Sequence, residues 1–285
     1  MTSDKSALTR QVGGFRVTAI QDGQMTGSVA LMPDFDDAQA QAYCDRVGVP
    51  FSKVRETSVN CFVIEGQGRT MLVDTGSPPD FHKDAGRFPE AFAAAGFKPE
   101  DIDILILTHL HVDHWGNMLR REDGEAFFPR AEFVVTQSDY DFIHDESVYA
   151  GLNDARKVAH DRSRACCVPY AGRTRLIADD GDIVPGISYV TMPGHSPGHS
   201  GVLIQSAGTV LFIFADLAHA WFWQAPFPDW SVLYDLDQKQ AARSRRATLA
   251  RIVAEGWPCA GMHTPFPGWA RVEQDGDVWR ILPDF

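Results

Sequence analysis

The sequence predicts an α/β fold in which two mixed β-sheets are flanked by helices. Strand-like segments fall into two groups separated by helical segments, and this arrangement favours two sheets over one. The apolar run at 104–108 is typical of a central strand that is buried on both faces. Residues 237–255 predict one long helix that would cover a sheet from outside.

The first part of the chain is predicted to begin as sheet. Apolar patterning predicts strands at 15–22 and 59–65, and a third strand at 70–74 follows a glycine-containing turn. The segment 25–58 between the first two strands is long for a plain connection and contains one predicted helix, 37–47. A lid or active-site wall is therefore the hypothesis for 25–58.

The rest of the chain carries the remaining predicted elements. A short helix at 89–95 precedes the central strand. Further strands are predicted at 132–136, 187–192, 201–205 and 210–215. The sequence contains no internal repeat or low-complexity segment, so a solenoid or other repeat fold is not expected.

Composition and charge disfavour several classes of partner. The 285 residues are 44% hydrophobic, which is enough for a sizeable core. The formal net charge of -12 disfavours nucleic acid as a partner, because the phosphate backbone would be repelled. The densest basic stretch, 243–251, is interpreted as the solvated face of the predicted long helix.

Cysteine usage and hydropathy indicate the compartment. The five cysteines are an odd number without CxxC spacing, which argues against a disulfide framework and against a cysteine-rich zinc site. No run approaches the roughly 18 apolar residues of a membrane span. Residues 1–14 lack the apolar core of a signal peptide. A cytoplasmic location without membrane contact is therefore expected.

The strongest functional signal is THLHVDH at 108–114, directly after the central strand. It places three imidazoles and one carboxylate within six residues: His109, His111, Asp113 and His114. His109 and His111 project to one side of an extended chain and can bind one ion, whereas His114 has the opposite parity. A turn after Val112 would direct Asp113 and His114 to a second ion. Because paired ions are a common device for hydrolysis, the motif predicts a dinuclear hydrolase.

The sequence resembles the metallo-β-lactamase superfamily at three places. These are THLHVDH, the strand end VDTG at 73–76, and MPGHSPGHSG at 192–201. The resemblance covers nearly the whole chain and implies a four-layer αβ/βα sandwich, the metallo-β-lactamase fold. It also implies three further ligands, His195, His263 and a bridging Asp216. One ion would then be held by His109, His111 and His195, and the other by Asp113, His114 and His263, with Asp216 shared.

The implied donor set contains imidazole and carboxylate without thiolate. Such a set suits two zinc ions, the expected cofactors, and also tolerates manganese, iron or cobalt. Thr108, His199 and Asp74 are candidates for orienting the ligands. Because the ligands extend from 109 to 263, no domain boundary is expected inside that span, and residues 1–285 are interpreted as one hydrolase domain.

From 214 onward the chain is similar to the group of methyl parathion hydrolases and N-acyl-homoserine-lactone lactonases. The similarity rests on ADLAHA at 215–220, the helix that follows, and the ending GMHTPFPGWARVE at 261–273. In that group a hydrogen-bonding side chain three positions after the bridging aspartate assists the reaction. It is tyrosine in some lactonases and histidine in the parathion-hydrolase branch. Here it is His219, which is expected to be catalytic.

Aromatic side chains near these motifs are candidates for an apolar substrate pocket. They are Trp115, Trp221, Phe222 and Trp223. Large aromatic residues equally often lie in cores or dimer contacts, so both interpretations stay open at this stage.

The resemblance implies hydrolysis of a lactone or carboxylic ester by metal-bound hydroxide, with Asp113 as a catalytic proton carrier. A phosphotriesterase of the parathion-hydrolase type is the alternative, as main or additional activity. A glyoxalase II-like thioesterase is less favoured, because such enzymes carry a C-terminal extension and this chain ends roughly 20 residues after His263. A ligand-binding protein that retains the fold is the non-enzyme alternative. The expected partner is a small ester, lactone or phosphotriester, and a homodimer is considered because related hydrolases often dimerise.

Overall fold

A computed structural model describes residues 7–285, except for the side chain of Arg55. The strands are β1 (Ala7–Val12), β2 (Phe15–Ser28), β3 (Val54–Gly66), β4 (Arg69–Val73), β5 (Ile104–Ile106), β6 (Glu132–Thr136), β7 (Thr174–Ile177), β8 (Asp182–Val184), β9 (Ile187–Thr191), β10 (Ser200–Ser206), β11 (Thr209–Ile213), β12 (Cys259–Ala260), β13 (Trp269–Asp275) and β14 (Val278–Pro283). The helices are α1 (Asp37–Val47), α2 (Phe88–Ala94), α3 (Val112–Trp115), α4 (Gln137–His144), α5 (Glu146–Ala150), α6 (Asp154–Cys167), α7 (Trp221–Gln224) and α8 (Gln238–Glu255). Short 3₁₀ turns cover Val29–Leu31, Pro99–Asp101, Val168–Arg173 and Ala215–Leu217.

Within residues 7–285, the strands form two seven-stranded sheets. The first has the order β1-β2-β3-β4-β5-β6-β7, and the second has the order β14-β13-β12-β11-β10-β9-β8. In the first sheet, neighbours from β1 to β4 are antiparallel and neighbours from β4 to β7 are parallel. In the second sheet, β11 and β12 are parallel, and the other pairs are antiparallel. The predicted pair of mixed sheets is confirmed.

Apolar burial explains why the two sheets stack and why the helices lie outside them. Val17 of the first sheet and Val202 of the second belong to one buried cluster between the sheets. The outer face of the first sheet packs against α2 and α6 through Phe92 and Cys166. The outer face of the second sheet packs against α8 through Leu249. Burying both faces of each sheet removes the most apolar surface from water and gives the four-layer αβ/βα sandwich.

The segment 25–58 differs from a plain connection. Strands β2 and β3 continue well past the predicted 15–22 and 59–65, because a register shift between Gln21 and Gly23 lets the pairing resume. A Cβ atom at Gly23 would lie 2.3 Å from the carbonyl oxygen of Asp84, so only glycine fits this close approach. The hairpin therefore extends beyond the sheet and carries α1 at its far end.

Helix α8 corrects one sequence expectation. The Asp237 side chain caps it by accepting a hydrogen bond from the Gln240 N–H at 2.9 Å. The basic stretch 243–251 was predicted to form a solvated face, but Arg245 is only 1% exposed. This prediction is wrong for Arg245, because its guanidinium binds main-chain carbonyl groups inside the protein, including that of Leu217. Among the described residues, no helix combines the length and apolarity needed to cross a membrane.

Candidate metal centre

The loop after β5 presents the first four candidate ligands. The strand ends at Ile106, and His111, just before the next helix, has an extended backbone with φ -84° and ψ 158°. The short helix α3 then turns the chain, and the His114 N–H donates to the His111 carbonyl at 3.1 Å. The helix begins at Val112, next to the position where the sequence predicts a turn. It brings Asp113 and His114 beside the two preceding histidines instead of on the opposite side of a strand.

Three histidines form one donor group. Nε2 of His195 lies 3.2 Å from Nε2 of His109 and 2.8 Å from Nδ1 of His111. The three donor atoms are mutually within 4.8 Å, which is compatible with one shared ion. His195 belongs to the loop before β10, so the two sheets each contribute to this group.

A second group adjoins the first. Donor atoms of Asp113, His114 and His263 also lie mutually within 4.8 Å. Asp216 lies between the groups: its Oδ2 is 3.2 Å from Nε2 of His114 and 3.4 Å from Nε2 of His195. The seven residues that the sequence and the family resemblance single out as ligands are therefore adjacent in the fold.

The outer nitrogen of each anchored imidazole has a partner that orients the ring. Nδ1 of His263 donates to the Ser58 carbonyl at 2.9 Å, and Nδ1 of His195 lies 2.8 Å from the Asp235 carboxylate. Nδ1 of His114 lies 2.6 Å from the Asp74 carboxylate. Carbonyl and carboxylate oxygens only accept, so each of these Nδ1 atoms carries a proton, and the inner Nε2 atom is the one that would bind a metal ion.

Burial and the neighbouring carboxylates have opposite effects on the pKa values of the histidines in this cluster. Burial lowers the pKa of His109 and of His195 well below the usual value, so both rings are neutral donors. Burial also acts on His114, but the carboxylates of Asp216 and Asp74 outweigh it and hold the pKa of His114 well above the usual value. The environment therefore favours positive charge at the centre of the cluster.

The donors fit a pair of divalent ions. Oδ1 of Asp216 is buried without a hydrogen-bond partner among residues 7–285, although Nε2 of His263 lies 3.2 Å away. Burial lowers the pKa of His263, but the carboxylates of Asp216 and Asp113 outweigh it and hold the pKa above its usual value, so this pair also favours positive charge. Imidazole with carboxylate is a donor set that zinc accepts.

The residues expected to orient the ligands lie directly behind them. Asp74 accepts hydrogen bonds from the N–H and the hydroxyl of Thr108, both at 2.9 Å. Asp74 has φ 58°, a left-handed conformation that a non-glycine residue rarely adopts. The third predicted residue, His199, accepts a hydrogen bond from the Asp216 N–H at 3.0 Å. All three therefore act on the donor loops and not on the cavity.

Two further carboxylates were not predicted from the sequence. Asp139, in α4, accepts from the Leu110 N–H at 2.9 Å and from the Gly198 N–H at 2.8 Å, so it joins the two loops that carry histidines. Asp235 binds His195, as described above. Neither residue belongs to a recognisable motif, and only the tertiary contacts reveal them.

His219 lies against the bridging position. Its Nε2 is 2.7 Å from Oδ2 of Asp216, and its ring stacks on that of His263 at 5.1 Å between centroids. Its Nδ1 is buried and has no hydrogen-bond partner within the described part of the chain. His219 stands three positions after Asp216, and the 3₁₀ turn at Ala215–Leu217 brings its side chain back to the cluster.

A cavity of about 470 Å³ opens onto these donors. Its lining includes the donors His111, Asp113, His195, Asp216, His219 and His263, and the apolar side chains of Met25, Leu31, Phe81, Leu110, Val112 and Ala159. Thr26, Thr57, His82, Ser163 and Tyr234 add polar groups to the wall. Met25 and Leu31 come from the segment 25–58, which therefore supplies part of the wall. The volume is within the range of small-molecule sites.

The four aromatic residues proposed for the pocket do not line this cavity. Trp115 is buried against the outer helices, where its Nε1 donates to the Leu110 carbonyl and to the Ser163 hydroxyl. Trp221 packs on the second sheet, and Phe222 and Trp223 pack against α1 and its neighbours. The expectation is corrected for Trp115, Trp221 and Phe222, because α3 and α7 turn these side chains towards cores. Trp223 lines a smaller adjoining pocket together with His219 and Tyr234. The tyrosine on the cavity side is instead Tyr234, 4.8 Å from the His219 ring.

Sequence comparison finds a matching family model and several relatives. A family model described as the Metallo-beta-lactamase superfamily matches residues 54–120, which include THLHVDH. N-acyl homoserine lactonase of Bacillus cereus is 27% identical over 172 residues, 53% of this chain and 60% of that protein. N-acyl homoserine lactonase AttM of Rhizobium radiobacter is 29% identical over 130 residues, 45% of this chain and 44% of that protein. The alignments thus span less than two thirds of these relatives.

Structural comparison extends the likeness to nearly the whole chain. Hydrolase AbOPH of the beta lactamase superfamily is 26% identical, with a TM-score of 0.88 over 98% of each chain. AidC, a dizinc quorum-quenching lactonase, is 20% identical with a TM-score of 0.87 over 99% of each chain, a likeness of fold. The chain thus has the metallo-β-lactamase fold. The predicted resemblance to the metallo-β-lactamase superfamily, and within it to the group that contains the N-acyl homoserine lactonases, is confirmed.

Proposed function

We propose that this chain is a dinuclear metal-dependent hydrolase that opens lactones or cleaves carboxylic esters. The observation that carries the proposal is the convergence of seven histidine and aspartate donors beside one largely apolar cavity. His109, His111 and His195 would hold one ion, and Asp113, His114 and His263 the other, with Asp216 shared. Zinc is the proposed metal, with manganese, iron or cobalt as alternatives. The relatives named N-acyl homoserine lactonase support this assignment.

The protein side chains have separate tasks in the proposed reaction. When bound, divalent ions supply Lewis-acid polarisation of a carbonyl oxygen and lower the pKa of water. The carboxylate of Asp113 lines the cavity and is partly exposed, so it can carry a proton to the leaving alkoxide when the acyl C–O bond breaks. His219 lines the cavity beside Asp216, so its imidazole is placed to hydrogen-bond a polar group of the substrate.

The cavity wall supports an uncharged substrate. None of the residues described as lining the cavity is a lysine or an arginine, so a carboxylate or phosphate of a substrate would find no cationic side chain there. Met25, Leu31 and Phe81 offer apolar contact for an acyl chain. A neutral lactone or ester with an apolar chain therefore fits better than an anionic thioester such as a glutathione conjugate.

A phosphotriester is the second candidate substrate, and His219 is the observation that favours it. A phosphotriester is also uncharged, and the parathion-hydrolase branch carries histidine three positions after the bridging aspartate. The same ions could polarise a phosphoryl oxygen. Carbon and phosphorus esters therefore both belong in the substrate panel.

The test is a substrate panel on one metal-analysed preparation. N-acyl lactones, aryl esters, phosphotriesters and a glutathione thioester are compared by kcat/KM, which measures differential transition-state stabilisation. We expect the lactones to rank first, and activity to disappear in Asp216→Ala together with the metal. Asp37→Ala, on the exposed surface of α1, is the control. A metal-replete protein that is inert on the whole panel would favour the ligand-binding alternative.

Three further expectations remain predictions: a single domain over 1–285, a cytoplasmic location and a homodimer.

A further inference from the structure

Asp235 lies against the outer nitrogen of His195, and donor atoms of Asp235, His195 and His219 are mutually within 4.8 Å. Its Oδ1 is 2.8 Å from Nδ1 of His195, and its Oδ2 accepts a hydrogen bond from the Val232 N–H at 3.1 Å. The residue is 5% exposed. The carboxylate thus has a fixed position and sets the rotation of the His195 ring, whose Nε2 then faces His109.

Arg245 of α8 lies behind Asp235 in turn. Its Nη2 is 3.6 Å from Oδ2 of Asp235, and its Nε donates to the Leu217 carbonyl at 2.7 Å. Its Nη1 donates to the Pro228 carbonyl. One buried guanidinium therefore joins α8 to the loop that follows Asp216 and to the loop that contains Asp235. A planar group with five donors is suited to binding several acceptors at once.

Main-chain hydrogen bonds hold the loop that contains His195 against the residues that lead into α8. The Leu236 N–H donates to the His195 carbonyl at 3.2 Å, and the Asp237 N–H donates to the Gly194 carbonyl at 2.8 Å. A Cβ atom at Gly194 would lie 2.1 Å from the main-chain nitrogen of Ala241, so the loop touches the start of α8. The position of His195 is therefore set by α8 as well as by its own sheet.

We propose that Asp235 and Arg245 are positioning residues that determine how tightly the ion at His109, His111 and His195 is retained. The inference rests on the proposed function, since it requires the metal site. A carboxylate on the outer nitrogen orients the imidazole and strengthens its inner nitrogen as a donor. Arg245 keeps that carboxylate in place, because an unpaired buried carboxylate would move towards water.

The experiment measures zinc retention without any substrate. Full-length zinc-loaded wild type, Asp235→Ala, Arg245→Met and Arg245→Lys are titrated against a chromophoric chelator, and Tm is recorded with and without zinc. Arg246→Met is the matched control, because Arg246 is the next residue of α8 and pairs with Asp229 at the surface. We expect zinc to bind roughly tenfold to a hundredfold more weakly in Asp235→Ala and Arg245→Met, with a smaller zinc-dependent gain in Tm. The zinc affinity of Arg245→Lys should lie between the affinity of these two variants and that of the control.

Two outcomes would overturn the inference. The first is wild-type zinc affinity in both Asp235→Ala and Arg245→Met. The second is an equal fall in Tm with and without zinc, which a role in folding alone predicts. If Arg245→Met does not fold, Asp235→Ala and Arg245→Lys decide by the same criteria. Because no substrate is used, a zinc-binding protein that fails on the panel would contradict the proposed function and leave this inference standing.

Discussion

His199 holds the main chain of Asp216 in place: its Nε2 accepts a hydrogen bond from the Asp216 N–H at 3.0 Å. Its Nδ1 donates to the Met192 carbonyl, also at 3.0 Å. Since a carbonyl only accepts, the proton is on Nδ1 and the lone pair on Nε2. Burial lowers the pKa of His199 to about 4, so the neutral ring that this pair of bonds requires is populated at neutral pH.

Replacing His199 by alanine should destabilise the fold. The change leaves the buried Asp216 N–H and the Met192 carbonyl without a partner and creates a cavity, so we expect a loss of about 2–4 kcal/mol in the free energy of unfolding. Urea unfolding of the metal-free protein measures this directly. His144→Ala, at an exposed position of α4, should change stability by less than about 0.5 kcal/mol. Equal values for the two variants would contradict the role assigned to His199.

Removal of metal should lower the melting temperature. Divalent cations that bind only the folded state would stabilise it, because they neutralise the buried Asp216 carboxylate among the histidine donors. Free zinc at 100 times its Kd would add about 2.7 kcal/mol, or roughly 4–5 °C in Tm for a chain of this size. Thermal unfolding with EDTA, and after returning zinc, manganese or cobalt, measures the effect. An unchanged Tm under all these conditions would argue against a metal site at these residues.

His219→Ala should reduce turnover while both metal ions are retained. His219 is expected to hydrogen-bond the substrate and to contact Asp216 without being needed as a ligand. Loss of such a group costs roughly 10²–10³-fold in kcat. Metal content by elemental analysis and kcat for the preferred substrate are measured on the same sample. If the variant instead loses one ion, His219 is itself a ligand, an arrangement that its position beside Asp216 and His263 also allows.

The apolar wall should make the enzyme sensitive to acyl-chain length. Each methylene buried against Met25, Leu31 or Phe81 contributes up to about 0.8 kcal/mol, so kcat/KM should rise by roughly two- to fourfold per methylene until the cavity is filled. Phe81→Ala should reduce kcat/KM for long chains by roughly tenfold and leave short chains nearly unchanged. Phe285→Ala, an exposed phenylalanine at the chain end, is the matched control. A flat dependence on chain length would show that the acyl chain lies elsewhere.

Local sequence was sufficient for the first four donors, at 109–114, and for most of the sheet framework. The THLHVDH loop directly follows an apolar strand. Residues close to each other in the chain therefore decide both which side chains the loop presents and where it turns. The strand at 132–136 and the helix at 37–47 have the predicted bounds for the same reason. The later ligands, His195, Asp216 and His263, depended on the family resemblance, because each stands alone in its own segment.

The sequence by itself determined which residue types could bind metal and the order in which they occur. The tertiary structure decided which side chains support them and what lines the cavity. Asp235 is 40 positions from His195, and Arg245 lies in a helix that otherwise carries exposed arginines. Trp115 and Trp223 point into cores, while Met25 and Tyr234 face the cavity. These roles follow from how loops of the two sheets pack together, a long-range arrangement that no local pattern of polarity encodes.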